Sequence, residues 1–161
     1  MSIDPSIDTG VITTRLRALS DKNELEILVV DDDELERALI GDRLERRGFK
    51  VSQAADGFEA MKMLEQQPFP VLIVDWRMPT MDGIQLTEQL RARGMLDTYV
   101  IMLTARDGHL DFERGYLAGV DDYLSKKVND VELLARVYKA FEMLTLRREL
   151  RDARAELSAG R

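Results

Sequence analysis

The chain of 161 residues contains no cysteine, which excludes disulfide bonds and thiolate metal sites. It has a single histidine, so a metal site built from several imidazoles is excluded as well. No stretch approaches the ~18 apolar residues of a membrane span, and the N-terminus lacks a basic segment followed by an apolar run. We therefore expect a cytoplasmic location and no membrane partner.

Basic residues are also under-represented, with 23 Lys and Arg against 30 Asp and Glu, for a net charge of −7. Such a charge repels nucleic acid over long range unless a basic patch is segregated, and the sequence contains no such patch. We expect no nucleic-acid partner. The length suits one domain with extensions, and 45% hydrophobic residues are enough for a packed core.

Short β-branched apolar runs alternate with longer segments of helical period from Glu26 onward. This alternation is typical of parallel strands joined by crossover helices. It predicts five strands, at Ile27–Val30, Val51–Ala54, Val71–Val74, Tyr99–Leu103 and Tyr123–Leu124. The predicted fold class is therefore α/β, with a five-stranded parallel sheet.

Turn and capping residues mark the ends of the helices between these strands. We predict helices from the cap Asp33 to Gly48, at Gly57–Glu65, at Ile84–Arg93, at Leu110–Leu117 and onward from the cap Asn129. Helical spacing predicts three inward-facing side chains in each of the first three helices: Leu35, Leu39 and Ile40; Phe58, Met61 and Leu64; Ile84, Leu86 and Leu90.

The last helix continues past the point where a five-stranded domain is complete. Its first part has one inward stripe, and the rest has a second stripe at 4-3-4 spacing, made by Leu146, Leu150, Ala153 and Leu157. We divide the chain into an N-terminal extension (1–24) with apolar residues at helical spacing, a domain (25–141) and an amphipathic helical tail (142–161). The tail either pairs with another helix, as in a homodimer, or is a solvated helix or a linker stub.

Acidic residues follow two of the predicted strands. Asp31, Asp32 and Asp33 come after the first strand, and Asp75 comes directly after the third. The carboxyl ends of parallel strands meet at one edge of a sheet, so these carboxylates are expected to lie close together. Their repulsion needs a cation to offset it, and Mg²⁺ suits such oxygen ligands. Read alone, the run 31–33 is equally explained as a helix cap with solvated charge.

Two further residues at strand ends complete a reactive set. Thr104 ends the fourth strand with a hydroxyl, and Lys126 follows the fifth strand with a cation that can reach across the strand ends. A metal site, a carboxylate nucleophile, a hydroxyl and a fixed cation are what phosphoryl transfer to an aspartate requires. A phosphohydrolase with an aspartate nucleophile needs the same groups, but also an acid two residues beyond the nucleophile. Here that residue is Arg77.

Four sequence blocks resemble the receiver domain of two-component response regulators, over roughly Leu25 to Phe141. They are VVDD at 29–32, VDWRMPTMDG at 74–83, LTA at 103–105 and AGVDDYLSK at 118–126. The resemblance implies a doubly wound, flavodoxin-like fold with an extended last helix. It also implies a signalling domain, not an enzyme, that takes a phosphoryl group from a sensor histidine kinase or a histidine phosphotransfer protein.

The resemblance assigns roles to individual residues. Asp75 is the phospho-acceptor, and it holds Mg²⁺ together with Asp31, Asp32 and the backbone carbonyl of Arg77. Thr104 and Lys126 contact the phosphoryl oxygens. Thr104 is also half of a switch, because the aromatic residue Tyr123 turns inward when the threonine moves. The implied output surface consists of the fourth helix, the fifth strand and the fifth helix.

One position departs from the family pattern, because Lys127 stands where a proline, often after a cis peptide, usually follows the lysine. A cis bond before a residue other than proline costs ~2.5–4 kcal/mol, so the loop is either trans or strained. Lys126 could then be held differently, and Lys127 could compete for its role. The departure also leaves open an adaptor that acts without phosphorylation. The extended helix leaves open a regulatory fragment of a larger effector, such as a cyclic-dinucleotide synthase.

Overall fold

The computed structural model describes residues 25–105 and 112–160. Five strands and five helices alternate along this part of the chain. The strands are β1 Glu26–Val30, β2 Lys50–Ala54, β3 Val71–Asp75, β4 Tyr99–Thr104 and β5 Asp122–Ser125. The helices are α1 Glu34–Glu45, α2 Gly57–Gln66, α3 Gly83–Ala92, α4 Phe112–Ala118 and α5 Asp130–Ala159. Every predicted strand is present within one or two residues of its predicted ends.

The strands form one sheet in the order β2-β1-β3-β4-β5, and every neighbouring pair is parallel. Side chains alternate between its faces, so Leu28 and Val30 join one buried cluster and Ile27 and Val29 the other. The first cluster contains the inward sides of α2 and α3, and the second contains those of α1 and α5. Helices on both faces confirm the doubly wound α/β class.

Polar caps fix where the helices begin. Asp33 accepts a hydrogen bond from the Glu36 N–H at the start of α1, and Asn129 does the same for Glu132 at the start of α5. Both caps were predicted. Asp82 forms a reciprocal capping box with Gln85 at the start of α3, so the chain enters that helix directly from the loop after β3.

Three predicted inward-facing residues are wrong, because Leu35, Leu39 and Phe58 are 69%, 53% and 58% exposed. Ile40, Met61 and Leu64 are buried, as predicted. In α1 the sheet is covered by Ile40 together with Leu44, which was not predicted. Leu39 lies ~100° around the helix from Ile40, and Leu35 lies one turn before Leu39. Periodicity identified an apolar stripe, but not the one that the sheet takes. The prediction for Ile84, Leu86 and Leu90 in α3 is correct.

The C-terminal helix α5 extends over 30 residues. Val137 and Phe141 are buried against the sheet and Leu144 packs beside them, as predicted. The second stripe is exposed, with Leu146, Leu150 and Leu157 at 52%, 54% and 74%. Residues 1–24 and Leu110 lie outside the described residues, so the predictions made for them are untested, as is the division at residue 141. Among the described residues, no helix is long and apolar enough to cross a membrane.

Candidate functional site

The sheet order brings four strand ends side by side at the carboxyl edge. Asp75 is the last residue of β3, and Asp31 follows Val30, which pairs in register with Val74. On the other side of β3, Asp75 pairs with Leu103, the residue before Thr104. Because these registers are fixed by the buried faces of the sheet, the two carboxylates and the threonine lie at the same edge without any long loop.

Lys126 connects this edge. Its backbone N–H donates to the Thr104 carbonyl at 3.0 Å, which holds the residue at the end of β4. Its Nζ lies 3.1 Å from Asp31 Oδ2 and 3.2 Å from Asp75 Oδ2, and it also contacts the Glu36 carboxylate. One ammonium group is therefore shared among three acids.

The acids at this edge fit a divalent cation. Carboxylate oxygens of Asp31, Asp32 and Asp75 lie within 4.8 Å of one another. Asp31 is fully buried and Asp75 is 5% exposed, whereas Asp32 faces solvent. Asp31 Oδ2 makes no hydrogen bond among the described residues, apart from the ion pair with Lys126. A buried carboxylate oxygen of this kind, with two more carboxylates nearby, matches the oxygen ligands of Mg²⁺.

The crowding changes the pKa values of these groups. Burial, and then the neighbouring Asp31 charge, raise the pKa of Asp75 to about 6. Burial also raises the pKa of Asp31, in spite of the hydrogen bond that its carboxylate accepts from Asp33. Burial lowers the pKa of Lys126, but Glu36, Asp75 and Asp31 outweigh this effect and the net shift is upward. The lysine is therefore charged, whereas the ionised forms of Asp31 and Asp75 are destabilised.

The first turn of α1 supports the site in a way that sequence reasoning missed. The Asp33 N–H donates to Asp31 Oδ1 at 2.9 Å, and Arg37 Nη1 donates to the Asp31 carbonyl at 2.7 Å. Glu36 contacts Lys126 from the same turn. The signal was present, because residues three and four after the cap Asp33 lie on the side of the helix above that cap.

Gly83 lies very close to the backbone of Asp75. Its N–H donates to the Trp76 carbonyl at 2.9 Å, and a Cβ atom at this position would lie 2.5 Å from the Asp75 carbonyl oxygen. Any side chain here would push against the backbone of β3. Glycine is thus needed at this position to leave space beside Asp75.

Tyr123 is partly buried on β5 and packs against the cluster under α2 and α3. Its ring meets Phe112 edge-on, with the centroids 4.9 Å apart. A Cβ atom on Gly115 would lie 1.6 Å from the Tyr123 hydroxyl oxygen, so the ring occupies space that only glycine leaves open. The predicted switch aromatic is therefore already directed inward, toward α4.

Lys127 and Arg77, the two residues beside the site whose roles the sequence left open, are both exposed. None of the described peptide bonds is cis, so the bond before Lys127 is trans. The Lys127 N–H donates a hydrogen bond to Ser125 Oγ at 3.3 Å. Lys126, and not the exposed Lys127, contacts the acids. Arg77 is exposed, and its backbone hydrogen bond lowers the pKa of Asp75. The role of its carbonyl stays a prediction.

Comparison with known proteins finds relatives over 70% of the chain. The alkaline phosphatase synthesis transcriptional regulatory protein PhoP of Bacillus subtilis is 39% identical over 112 residues, covering 70% of this chain and 46% of PhoP. Response regulator MprA of Mycobacterium avium is 41% identical over 113 residues, covering 70% of this chain and 49% of MprA. The chain thus matches about half the length of these curated relatives.

Solved structures agree with the fold. Chemotaxis protein CheY4 of Vibrio cholerae is 29% identical with a TM-score of 0.67, covering 71% of this chain and 97% of that one. A putative two-component response regulator with a GGDEF domain is 30% identical with a TM-score of 0.75, and the match covers 83% of this chain and 54% of that one. The family model of the response regulator receiver domain matches residues 27–138. The chain belongs to the response regulator receiver domain family, whose members are signalling domains and generally not enzymes.

Proposed function

We propose that this chain accepts a phosphoryl group on Asp75, in a reaction that depends on Mg²⁺, from a sensor histidine kinase or a histidine phosphotransfer protein. The observation that carries the proposal is the shared edge of the sheet. There Asp31 and Asp75 are both buried, and the two acids share the ammonium group of Lys126. Receiver domains bind Mg²⁺ at such an acidic pocket, and the aspartates present here fit it.

Each side chain has a part in the transfer. Asp31, Asp32 and Asp75, with the Arg77 carbonyl, would hold the metal, which would supply positive charge to the transferring group. With a pKa of about 6, Asp75 is mostly ionised at neutral pH, so one of its oxygens can attack phosphorus while the bond from phosphorus to the donor's imidazole nitrogen breaks and the donor histidine leaves. Lys126 and Thr104 lie next to that carboxylate and contact the phosphoryl oxygens, which carry charge in the transition state. The self-phosphorylation and self-dephosphorylation of this site are its only chemistry.

The output follows from the position of Tyr123. Thr104 and Tyr123 lie on neighbouring strands, β4 and β5, and Tyr123 packs under α4. A shift of Thr104 toward the phosphoryl group changes the space next to this ring. The α4–β5–α5 surface then changes shape for partner binding or dimerisation. We propose a cytoplasmic location and no membrane partner.

The alternatives have less support. The residue two beyond Asp75 is Arg77, which cannot act as the general acid of a phosphohydrolase. An adaptor that never accepts phosphate has no need for two buried acids around one lysine. The matches to regulators do not favour the fragment of a cyclic-dinucleotide synthase. PhoP is named as a transcriptional regulator, but the match covers only 46% of PhoP, and the net charge of −7 supports no nucleic-acid contact by this chain.

Incubation with acetyl phosphate and Mg²⁺, followed by intact-protein mass spectrometry, tests the acceptor. We expect one phosphoryl group per chain, none after Asp75→Asn, and none when EDTA removes the metal. Asp122→Asn is the matched control, because it changes an acid far from the site that pairs with Arg136. If Asp75→Asn is labelled as well as the natural chain, the proposal fails. Continuous turnover of p-nitrophenyl phosphate would instead indicate a phosphohydrolase.

A further inference from the structure

The second half of α5 leaves the domain with an apolar stripe that the domain does not cover. Arg147 lies 3.1 Å from Asp121 and its guanidinium is 5.7 Å from the Tyr99 ring centroid, and Arg151 lies 2.8 Å from Asp97. Residues 152–160 are all exposed. The side of α5 that carries these arginines is roughly 100° around the helix from the stripe, so the helix is anchored to its own domain while the stripe remains open.

The stripe has the heptad spacing of a two-stranded coiled coil. Met143, Leu150 and Leu157 occupy a positions, and Leu146 and Ala153 occupy d positions. Met143 is partly buried, while the leucines at 146, 150 and 157 are more than half exposed. Large apolar side chains repeated along one face of an exposed helix indicate a partner helix.

The charges beside the stripe identify the partner and its direction. Glu142 and Glu149 occupy g positions, and Arg147 and Arg154 occupy e positions. In a parallel pair each g residue faces the e residue five positions later in the other helix, so glutamate meets arginine each time. The sequence repeats this spacing at Glu156 and Arg161, although Arg161 lies outside the described residues.

The same charges disfavour the opposite arrangement. In an antiparallel pair g faces g and e faces e, so glutamate would meet glutamate and arginine would meet arginine. From this asymmetry we propose that residues 143–157 bind a second copy of the chain as a parallel, in-register coiled coil. The inference extends the homodimer expected from the sequence and does not require phosphoryl transfer at Asp75.

The central charged pair is the one to test. Arg147 is already engaged by Asp121 in its own chain, so its pairing with a partner competes with that contact. Glu149 and Arg154 make no hydrogen bond or ion pair within the described part of the chain, and both are exposed. With two heptads and an alanine at one d position, the association is weak, and it is measured at high protein concentration.

Cysteine cross-linking tests direction and register, because the natural chain contains no cysteine. Leu146→Cys and Ala153→Cys should each form disulfide-linked dimers under mild oxidation. Ala155→Cys, an equally exposed alanine on the opposite face, should cross-link at least fivefold more slowly. Positions 146 and 153 are ~10 Å apart along the helix, so an antiparallel pair brings at most one of them to its own copy.

Charge exchange supplies an independent test by sedimentation equilibrium of the unphosphorylated full chain. Glu149→Arg and Arg154→Glu should each weaken self-association about fivefold, and the double variant should restore it, because attraction returns at both pairs. Equal cross-linking at 153 and 155, cross-linking at only one of 146 and 153, or a double variant no tighter than the single ones would overturn the proposal. None of these results depends on whether Asp75 accepts phosphate.

Discussion

Two Asp-Asp doublets lie at opposite edges of the same sheet, and the structure treats them differently. Asp121 and Asp122 precede or begin β5, and each has its own arginine: Asp121 Oδ2 accepts from Arg91 at 2.9 Å, and Asp122 is 2.9 Å from Arg136. Asp31 and Asp32 follow β1 at the carboxyl edge. There the only described cation in contact with the buried carboxylates of Asp31 and Asp75 is Lys126, which also contacts Glu36.

The difference supports the proposal that Asp121 has a structural role and that the acids at the carboxyl edge have a functional one. Asp121 also accepts from the Val100 N–H and pairs with Arg147, so both of its oxygens are satisfied by the protein itself. At the carboxyl edge, burial raises the pKa of Asp31 and Asp75, which shows charge that the protein does not neutralise. Uncompensated buried charge is maintained where a ligand from outside the chain completes the balance.

The largest expected effect on stability comes from removing Asp121, whose carboxylate is paired within the protein. Asp121→Ala leaves the Arg91 guanidinium, 16% exposed, without its acid, so we expect the free energy of unfolding to fall by about 2–3 kcal/mol. Urea unfolding followed by circular dichroism measures it. Asp97→Ala removes an exposed ion pair with Arg151 and should lower the free energy of unfolding much less than Asp121→Ala does. Equal losses in the two variants would contradict the structural role of Asp121.

The two doublets look alike in the sequence, and this marks the limit of sequence reasoning. The strand ends were predictable because apolar runs give the strands and parallel strands share an edge, which was enough to bring Asp31, Asp75, Thr104 and Lys126 together. The pairing of Asp121 with Arg91 was not predictable. It joins the end of α3 to the start of β5 across 30 positions, and no local pattern encodes such a contact.

The faces of the helices show a second limit. Spacing alone predicted Leu35, Leu39 and Ile40 as inward residues of α1, but only Ile40 is buried, and it covers the sheet together with Leu44. Apolar residues on two adjacent stripes are equivalent until the direction of the helix across the sheet is known. In α3 the prediction was correct because Ile84, Leu86 and Leu90 all lie on the buried side.

Removing the carboxylate of Asp31 from the doublet at the carboxyl edge should weaken metal binding without unfolding the protein. Asp31→Asn deletes a buried carboxylate of the cluster, so we expect Mg²⁺ affinity to fall at least tenfold, about 1.4 kcal/mol. Trp76, which adjoins Asp75 and is partly buried, reports the titration by fluorescence. Asp122→Asn should bind Mg²⁺ like the natural chain. A metal affinity that survives Asp31→Asn would place the ion elsewhere.

The raised pKa of Asp75 predicts a pH-dependent stability in metal-free buffer. The pKa of its carboxyl group is about 6 in the folded chain and 3.8 when unperturbed. The neutral form therefore stabilises the fold fully below pH 3.8, and this contribution is lost as the pH rises through about 6. Asp75→Asn keeps the neutral state at every pH.

We expect Asp75→Asn to be more stable than the natural chain by about 1 kcal/mol at pH 7.5, less than the full shift implies, because Lys126 loses one of its acids. The advantage should shrink as the pH falls below 6. Urea unfolding in EDTA across this pH range measures it, with Asp97→Asn as the exposed control. A constant difference between the natural chain and Asp75→Asn from pH 4 to pH 8 would show that Asp75 is not under stress.

The smallest effect is expected from changing Glu36, the exposed acid that shares Lys126 with Asp31 and Asp75. Glu36 is 45% exposed, so its contact with Lys126 contributes only about 0.5 kcal/mol to stability. Glu36→Gln removes a competing charge and leaves Lys126 to Asp31 and Asp75, so labelling of Asp75 by acetyl phosphate should become about twofold faster. Glu34→Gln changes another exposed acid in the same turn and should leave the rate unchanged. A slower Glu36→Gln would mean that Glu36 positions the lysine for transfer instead of competing for it.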